Sequence, residues 1–176
     1  MSSPPSNPTK WAGVPLTDRR AERRALLVDA ALRLFGDGGE AALSVRSVSR
    51  ECGLNTRYFY ESFADTDDLL GAVYDRVSAE LGAAVEDAMA RAGDSLRART
   101  RAGIAAVLDF SSADPRRGRV LFTDARANRV LAARRAATQD LLREGVLTEG
   151  WRLQPDTDPV AAMVGAAMYT GAMAEL

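Results

Sequence analysis

Residues 43–70 read LSVRSVSRECGLNTRYFYESFADTDDLL. Ser44 precedes a short apolar pattern of Val45, Val48 and Cys52, and its hydroxyl suits the free N–H groups at a helix start. Gly53 stands where a helix commonly ends on a left-handed residue. Leu54 is apolar, and Asn55 or Thr56 is placed to cap a second helix running to Phe63. Two short helices around a tight glycine turn form a helix-turn-helix. Asp65 then caps a further helix, with Asp68 in the position of a capping-box acid. Leu70, Val73, Val77, Leu81 and Val85 carry that helix's apolar stripe from Thr66 to Arg91.

Upstream, a helix is expected from Thr17 or Asp18 to about Phe35. Leu27, Ala30, Ala31, Leu34 and Phe35 share one of its faces, and Gly36-Asp37-Gly38-Gly39 stops it. That glycine cluster follows a helix and lacks a GK[ST] ending, so it does not read as a phosphate loop. Residues 1–16 are rich in Ser and Pro and read as a disordered arm, whose Trp11 can fold back onto the domain. Downstream, Gly93-Asp94 breaks the long helix, and another spans Leu96 to Phe110. Asp114-Pro115 opens one reaching Thr123, and a helix follows from Arg126 to Glu144. Gly145 to Thr157, with Trp151, reads as a loop before a last helix opened by Asp158-Pro159. That helix is still apolar at Leu176, which leads us to expect a further C-terminal segment. The fold class expected is all-α: an N-terminal three-helix helix-turn-helix domain at 17–65, then a helical body at 66–176.

A reading helix needs polar side chains at its N-terminal end and an apolar face toward its supports. Leu54, Phe59 and Phe63 supply the face, leaving Asn55, Thr56, Arg57, Tyr58 and Tyr60 for a nucleic acid. Arg57 suits guanine or phosphate, and a tyrosine hydroxyl can donate to either phosphate or base.

The run from Leu43 to Leu70, with the glycine-ended helix before it, resembles the DNA-binding domain of TetR-family regulators. The resemblance is specific over the segment Leu26–Leu70 and only architectural beyond Leu81. It implies that Ser44 caps its helix and touches phosphate, and that Arg46 reaches a base edge. It further implies that Thr56, Arg57 and Tyr58 occupy the base-reading turn and that Tyr60 holds phosphate. One departure stands out: relatives often carry a Lys at the start of the fourth helix, where this chain has Asp65-Thr66-Asp67-Asp68. The N-terminal arm or Arg19, Arg20, Arg23 and Arg24 are candidates to compensate, and those arginines have a plain reading as a solvated face beside Asp18 and Glu22. Arg46 and Arg57 also have a plain reading as surface arginines, and Cys52 as a small packed residue.

Net charge is −1, so any pull toward DNA comes from where charge sits, not from its sum. The chain has no His and a single Cys, which excludes a His-based triad, the usual zinc sites and an intrachain disulfide. No catalytic residue, metal or cofactor is expected, and no apolar run is long enough to span a membrane. A reduced, cytoplasmic setting follows as the expectation. An enzyme using carboxylates, or a helical adaptor that has lost DNA binding, are the competing classes. The resemblance implies double-stranded DNA with a pseudo-palindromic operator, a homodimer, and release by a small apolar or amphipathic effector in a mainly uncharged pocket. Met89, Ile104, Val107, Phe110, Leu121, Phe122 and Met168 are candidate pocket liners and equally core residues. Ala161, Ala162, Gly165, Ala166, Ala167, Gly171 and Ala172 give the last helix a small-residue surface suited to close packing.

Overall fold

The computed structural model describes residues 16–124 and 127–174. The Ser/Pro arm before Leu16, Trp11 and the end of the chain past Ala174 lie outside the described residues. Eight α-helices follow in order: α1 (Leu16–Gly38), α2 (Val45–Glu51), α3 (Thr56–Tyr60), α4 (Thr66–Arg91), α5 (Leu96–Ala113), α6 (Pro115–Gly118), α7 (Arg129–Leu153) and α8 (Pro159–Ala174). A 3₁₀ turn (Glu40–Ala42) links α1 to α2, and a π turn (Arg119–Thr123) extends α6. The described residues contain no strand, so the fold class is all-α, with a helix-turn-helix domain at its N-terminal end.

The local signals place most boundaries. Helix α1 runs three residues past Phe35 and stops only at Gly39, whose φ of 67° favours glycine. Asp114 accepts from the Arg116 N–H at 3.1 Å, and Asp158 accepts from the Ala161 N–H at 2.9 Å, so both Asp-Pro pairs open helices. Helix α3 is shorter than expected, giving way to a turn at Glu61 and Ser62 instead of reaching Phe63.

The expected loop from Gly145 to Thr157 is overturned: α7 continues through Gly145, Gly150 and Trp151 to Leu153. A glycine inside a helix costs about 1 kcal/mol relative to alanine, which tertiary contacts can offset. Here α7 packs along α8, and Glu149 takes Arg99 from α5 at 2.6 Å and Arg152 from its own helix at 2.9 Å. Neither Gly145 nor Gly150 adopts positive φ, so neither reverses the chain.

One hydrophobic core positions the N-terminal helices. Leu27, Ala30, Ala31 and Phe35 of α1 meet Val48 of α2, Phe59 of α3, and Leu69, Leu70, Val73 and Val77 of α4. Val45, Cys52 and Leu54 are partly buried against it. The core does not stop at residue 65. It continues through Tyr74 to Val120, Leu121 and Leu131, so α4 packs on both the N-terminal helices and the body.

Candidate nucleic-acid interface

Helix α2 opens on a closed capping box. The Ser44 hydroxyl accepts from the Ser47 N–H at 3.0 Å, and the Ser47 hydroxyl accepts from the Ser44 N–H at 2.9 Å. Gly53 has φ 67°, and the Leu54 N–H turns back to the Ser49 carbonyl at 2.9 Å. The Asn55 side chain then accepts from the Arg57 N–H at 2.8 Å, starting α3. Asn55 thereby spends its carbonyl oxygen on the helix and keeps its amide N–H groups.

Helix α3 is only five residues long, so its geometry follows from Phe59, which is fully buried. Successive residues are turned by about 100°, which puts Arg57 roughly 160° from Phe59 and Tyr58 and Tyr60 roughly 100° to either side. Observed exposure follows that arithmetic. The Arg57 side chain is 83% exposed, Tyr60 is 62% exposed and Tyr58 is 37% exposed. Thr56 is exposed, as are Ser44 and Arg46 on α2. All seven sequence-derived candidates therefore lie on the surface of α2, α3 and their caps.

The arginines of α1 have work inside the protein. Arg20 donates to the Glu61 backbone carbonyl, and Arg23 lies 3.8 Å from the Glu61 carboxylate. The Arg23 guanidinium also sits 4.6 Å from the Tyr58 ring centre, and that of Arg24 4.6 Å from the Phe63 ring centre. Arg57 donates to Glu61 at 3.1 Å. Glu61 is thus the hub that ties α1 to α3. Sequence reasoning missed it, although its spacing of four from Arg57 is a readable pair.

The acidic start of α4 also has a structural use. Asp65 accepts from the Asp68 N–H at 2.8 Å. Asp68 accepts from the Ala64 N–H at 3.1 Å, one residue earlier than a standard capping box requires. Asp67 pairs with Arg129 of α7 at 3.0 Å, joining the head to the body.

A second feature lies at the other end of the molecule. A cavity of about 610 Å³ opens between α4, α5, α7 and α8, with Met89, Leu96, Val146, Leu147, Ala166 and Tyr169 in its walls. Of the expected liners, only Met89 is there. Val107, Leu121 and Phe122 border a separate cavity of about 100 Å³, and Phe110 lies under Arg117 and beside a shallow groove lined by α4 and α5. Ile104 lines none of these, and Met168 is 71% exposed on the outside of α8. The lining is mainly uncharged, with Glu86, Arg99 and Glu149 as its charged members. Gly145, Val146, Leu147, Glu149 and Gly150 of the wall come from the stretch of α7 that reads as a loop, which is why the sequence hid it. The small residues of α8 divide: Ala161, Ala162, Gly165 and Ala166 line the cavity, while Ala167 and Gly171 are exposed. Among the described residues, no group of three or more His, Cys, Asp or Glu is placed to hold a metal ion, and no helix is long and apolar enough to cross a membrane.

Residues 27–73 match the family model described as bacterial regulatory proteins, tetR family. Over 96 residues the chain is 36% identical to the HTH-type transcriptional regulator BetI of Burkholderia thailandensis, covering 54% of this chain and 49% of that protein. BetI of Burkholderia pseudomallei matches to the same extent. The chain spans about half the length of these curated relatives. In fold it is similar to the fatty acid degradation regulator FadR from Bacillus halodurans, with a TM-score of 0.70 at 17% identity over 87% of this chain and 80% of that one. FadR from Bacillus subtilis, solved in complex with stearoyl-CoA, gives 0.66 at 17% identity over 86% and 83%. The capping box, the glycine turn and the five-residue exposed helix all lie inside the matched segment, so it is residues 27–73 that match the tetR family of bacterial regulatory proteins.

Proposed function

We propose that the chain is a sequence-specific, DNA-binding transcriptional regulator of the cytoplasm, a repressor released from its operator by a small molecule. The observation that carries this is the two-sidedness of α3: Phe59 is locked in the core while Arg57, Thr56 and Tyr60 are exposed to solvent. A reading helix held rigidly from behind places its polar groups against base edges without ordering them anew. Ser44 and Tyr60 hold phosphates, and Arg46 and Arg57 read bases or phosphate, with Thr56, Tyr58 and the Asn55 amide completing the surface. Arg57 reaches DNA by leaving Glu61, an exposed pair that costs little to break. Head (17–65) and body (66–176) are the working units, joined by α4.

The outer face of α8 supports a homodimer. Val160, Met163, Val164 and Met168 are all more than half exposed and recur at helical spacing with Ala167 and Gly171. Two heads on a two-fold axis call for a pseudo-palindromic operator with half-sites about one helical turn apart. The large cavity is the effector site, as the stearoyl-CoA held by the Bacillus subtilis relative suggests. Helix α4 gives the two sites a mechanical link. Its first turns lie in the head core and its Met89 in the cavity wall, and its 26 residues span about 39 Å. An effector shifts the heads only by binding one arrangement of the body better than the other.

Selection of bound sequences from random DNA, with wild type and single variants, tests the reading. Arg46→Ala costs about 1–3 kcal/mol on the preferred site and relaxes one base position, whereas Tyr60→Phe weakens all sequences evenly. Identical base preferences for wild type and Arg46→Ala would remove the base-reading role.

A further inference from the structure

Arg99 of α5 lies in the cavity wall and its guanidinium is held by backbone. Its Nη1 donates to the carbonyls of Met89 at 3.0 Å and Gly93 at 3.3 Å, at the end of α4. Its Nη2 is 2.6 Å from Glu149 Oε1, and its Nε is buried without an acceptor. The side chain is only 15% exposed. Glu149 does not depend on Arg99. Arg152, three residues further along α7, holds both of its oxygens, at 2.9 and 3.1 Å. The hydrogen bond from Arg152, with the charge of Arg99 added, keeps the Glu149 carboxyl below the usual range for glutamate. Two guanidiniums therefore share one carboxylate. Glu86, the other acid of the wall, is exposed to water, and Asp94 reaches Arg152 only at 4.0 Å.

A largely buried cation with an unmet donor is a costly arrangement, and a second anion relieves it. The rest of the wall is uncharged and mostly apolar, with Met89, Leu96, Val146 and Leu147 beside the neutral polar Thr100, Gln154, Thr157 and Tyr169. We infer that the cavity takes an amphipathic monocarboxylate, its carboxylate on the Arg99 guanidinium and its apolar body between α4, α7 and α8. The inference rests on the reading of this cavity as the effector site. Glu149 keeps Arg152 when the ligand arrives, so the exchange strands no buried charge.

Calorimetric titration of the full chain with decanoate, methyl decanoate and decyltrimethylammonium tests this. The three probes share an apolar tail and differ in head charge. Decanoate binds at least about tenfold more tightly than the ester. Arg99→Gln abolishes that advantage. Glu149→Gln, which frees Arg99 from its competitor, enlarges it severalfold, an opposite sign that a merely damaged fold does not produce. Equal binding of ester and carboxylate overturns the inference, as does preference for the cation or an advantage that survives Arg99→Gln. In those cases the cavity still binds ligands and the effector reading stands. Failure of all three probes to bind overturns both.

Discussion

The head and the body solve the packing problem differently. Around the head, Leu27, Phe35, Val48 and Phe59, with Leu69 and Val73 of α4 packed against them, are at most 1% exposed, and four separate helices contribute to that one cluster. Past Leu131, only Ala166 and Thr170 are buried among the described residues. Large apolar side chains stay at the surface there: Leu141 and Met168 are 70% and 71% exposed, and Val160 is 62% exposed. The head packs tightly on α4, which carries its core on into the body, and leaves polar groups outward. The body leaves apolar surface outward and a cavity inward, and we read it as completed by a second copy and a ligand. A rigid reader joined to an incompletely packed body is a suitable arrangement for a switch, because elements that move come from the less tightly packed end of a structure.

The comparison breaks most visibly at its centre. Phe59→Ala removes the side chain that anchors α3 and costs about 3–5 kcal/mol, measured as a fall in the midpoint of chemical denaturation. Tyr60→Phe, one residue on and on the exposed side, changes stability by less than about 0.5 kcal/mol. Comparable losses for the two would mean that α3 is not held as its burial pattern implies.

Charge on the outer face of α8 comes next. On the proposed homodimer, Met168→Glu with Val164→Glu gives a monomer in light scattering and leaves helical content unchanged. DNA binding then falls because the two half-sites are no longer read together. An unchanged mass would place the dimer contact elsewhere.

Glycine-to-alanine substitutions sharpen the contrast by taking opposite signs. A Cβ on Gly36 would lie 2.4 Å from the Cβ of Arg116, where α1 meets α6, so Gly36→Ala destabilises by about 1–3 kcal/mol. A Cβ on Gly145 meets nothing within 4 Å, and the residue is helical, so Gly145→Ala stabilises by up to about 1 kcal/mol. Thermal denaturation of both variants reads the two signs directly.

The smallest effect is in pH. The Asp114 carboxyl is held below its ordinary value of 3.8 foremost by the side-chain hydrogen bond from Arg116, and Glu149 below 4.5 foremost by that from Arg152. A depressed folded-state pKa adds stability that is present above the unfolded value and lost as pH falls through the folded one. Stability is therefore flat near neutral pH and declines below about pH 4 from these groups, and Asp114→Asn makes that decline shallower.

Much of the head was legible because its signals are local. Ser44, Gly53, Asn55 and Asp65 each act within four residues of their own position, where spacing alone decides the partner. Ser47 was hidden because a serine replaces the Glu or Gln that usually returns the capping bond. Glu61 was hidden because two of its arginines come from α1, a partnership set by packing. The body was less legible for the same reason. Gly145 and Gly150 signal a break that α7 overrides once α8 packs beside it, and that error concealed the cavity wall carried by Val146, Leu147 and Glu149.

The most direct test of the central claim is selection of bound fragments from random double-stranded DNA by the purified protein, with the mass of the complex read alongside. The account predicts one enriched pseudo-palindrome whose half-sites lie about 34–36 Å apart or at a multiple of that spacing, bound by an even number of chains. No enrichment over the starting pool, or a single half-site bound by one chain, would contradict it.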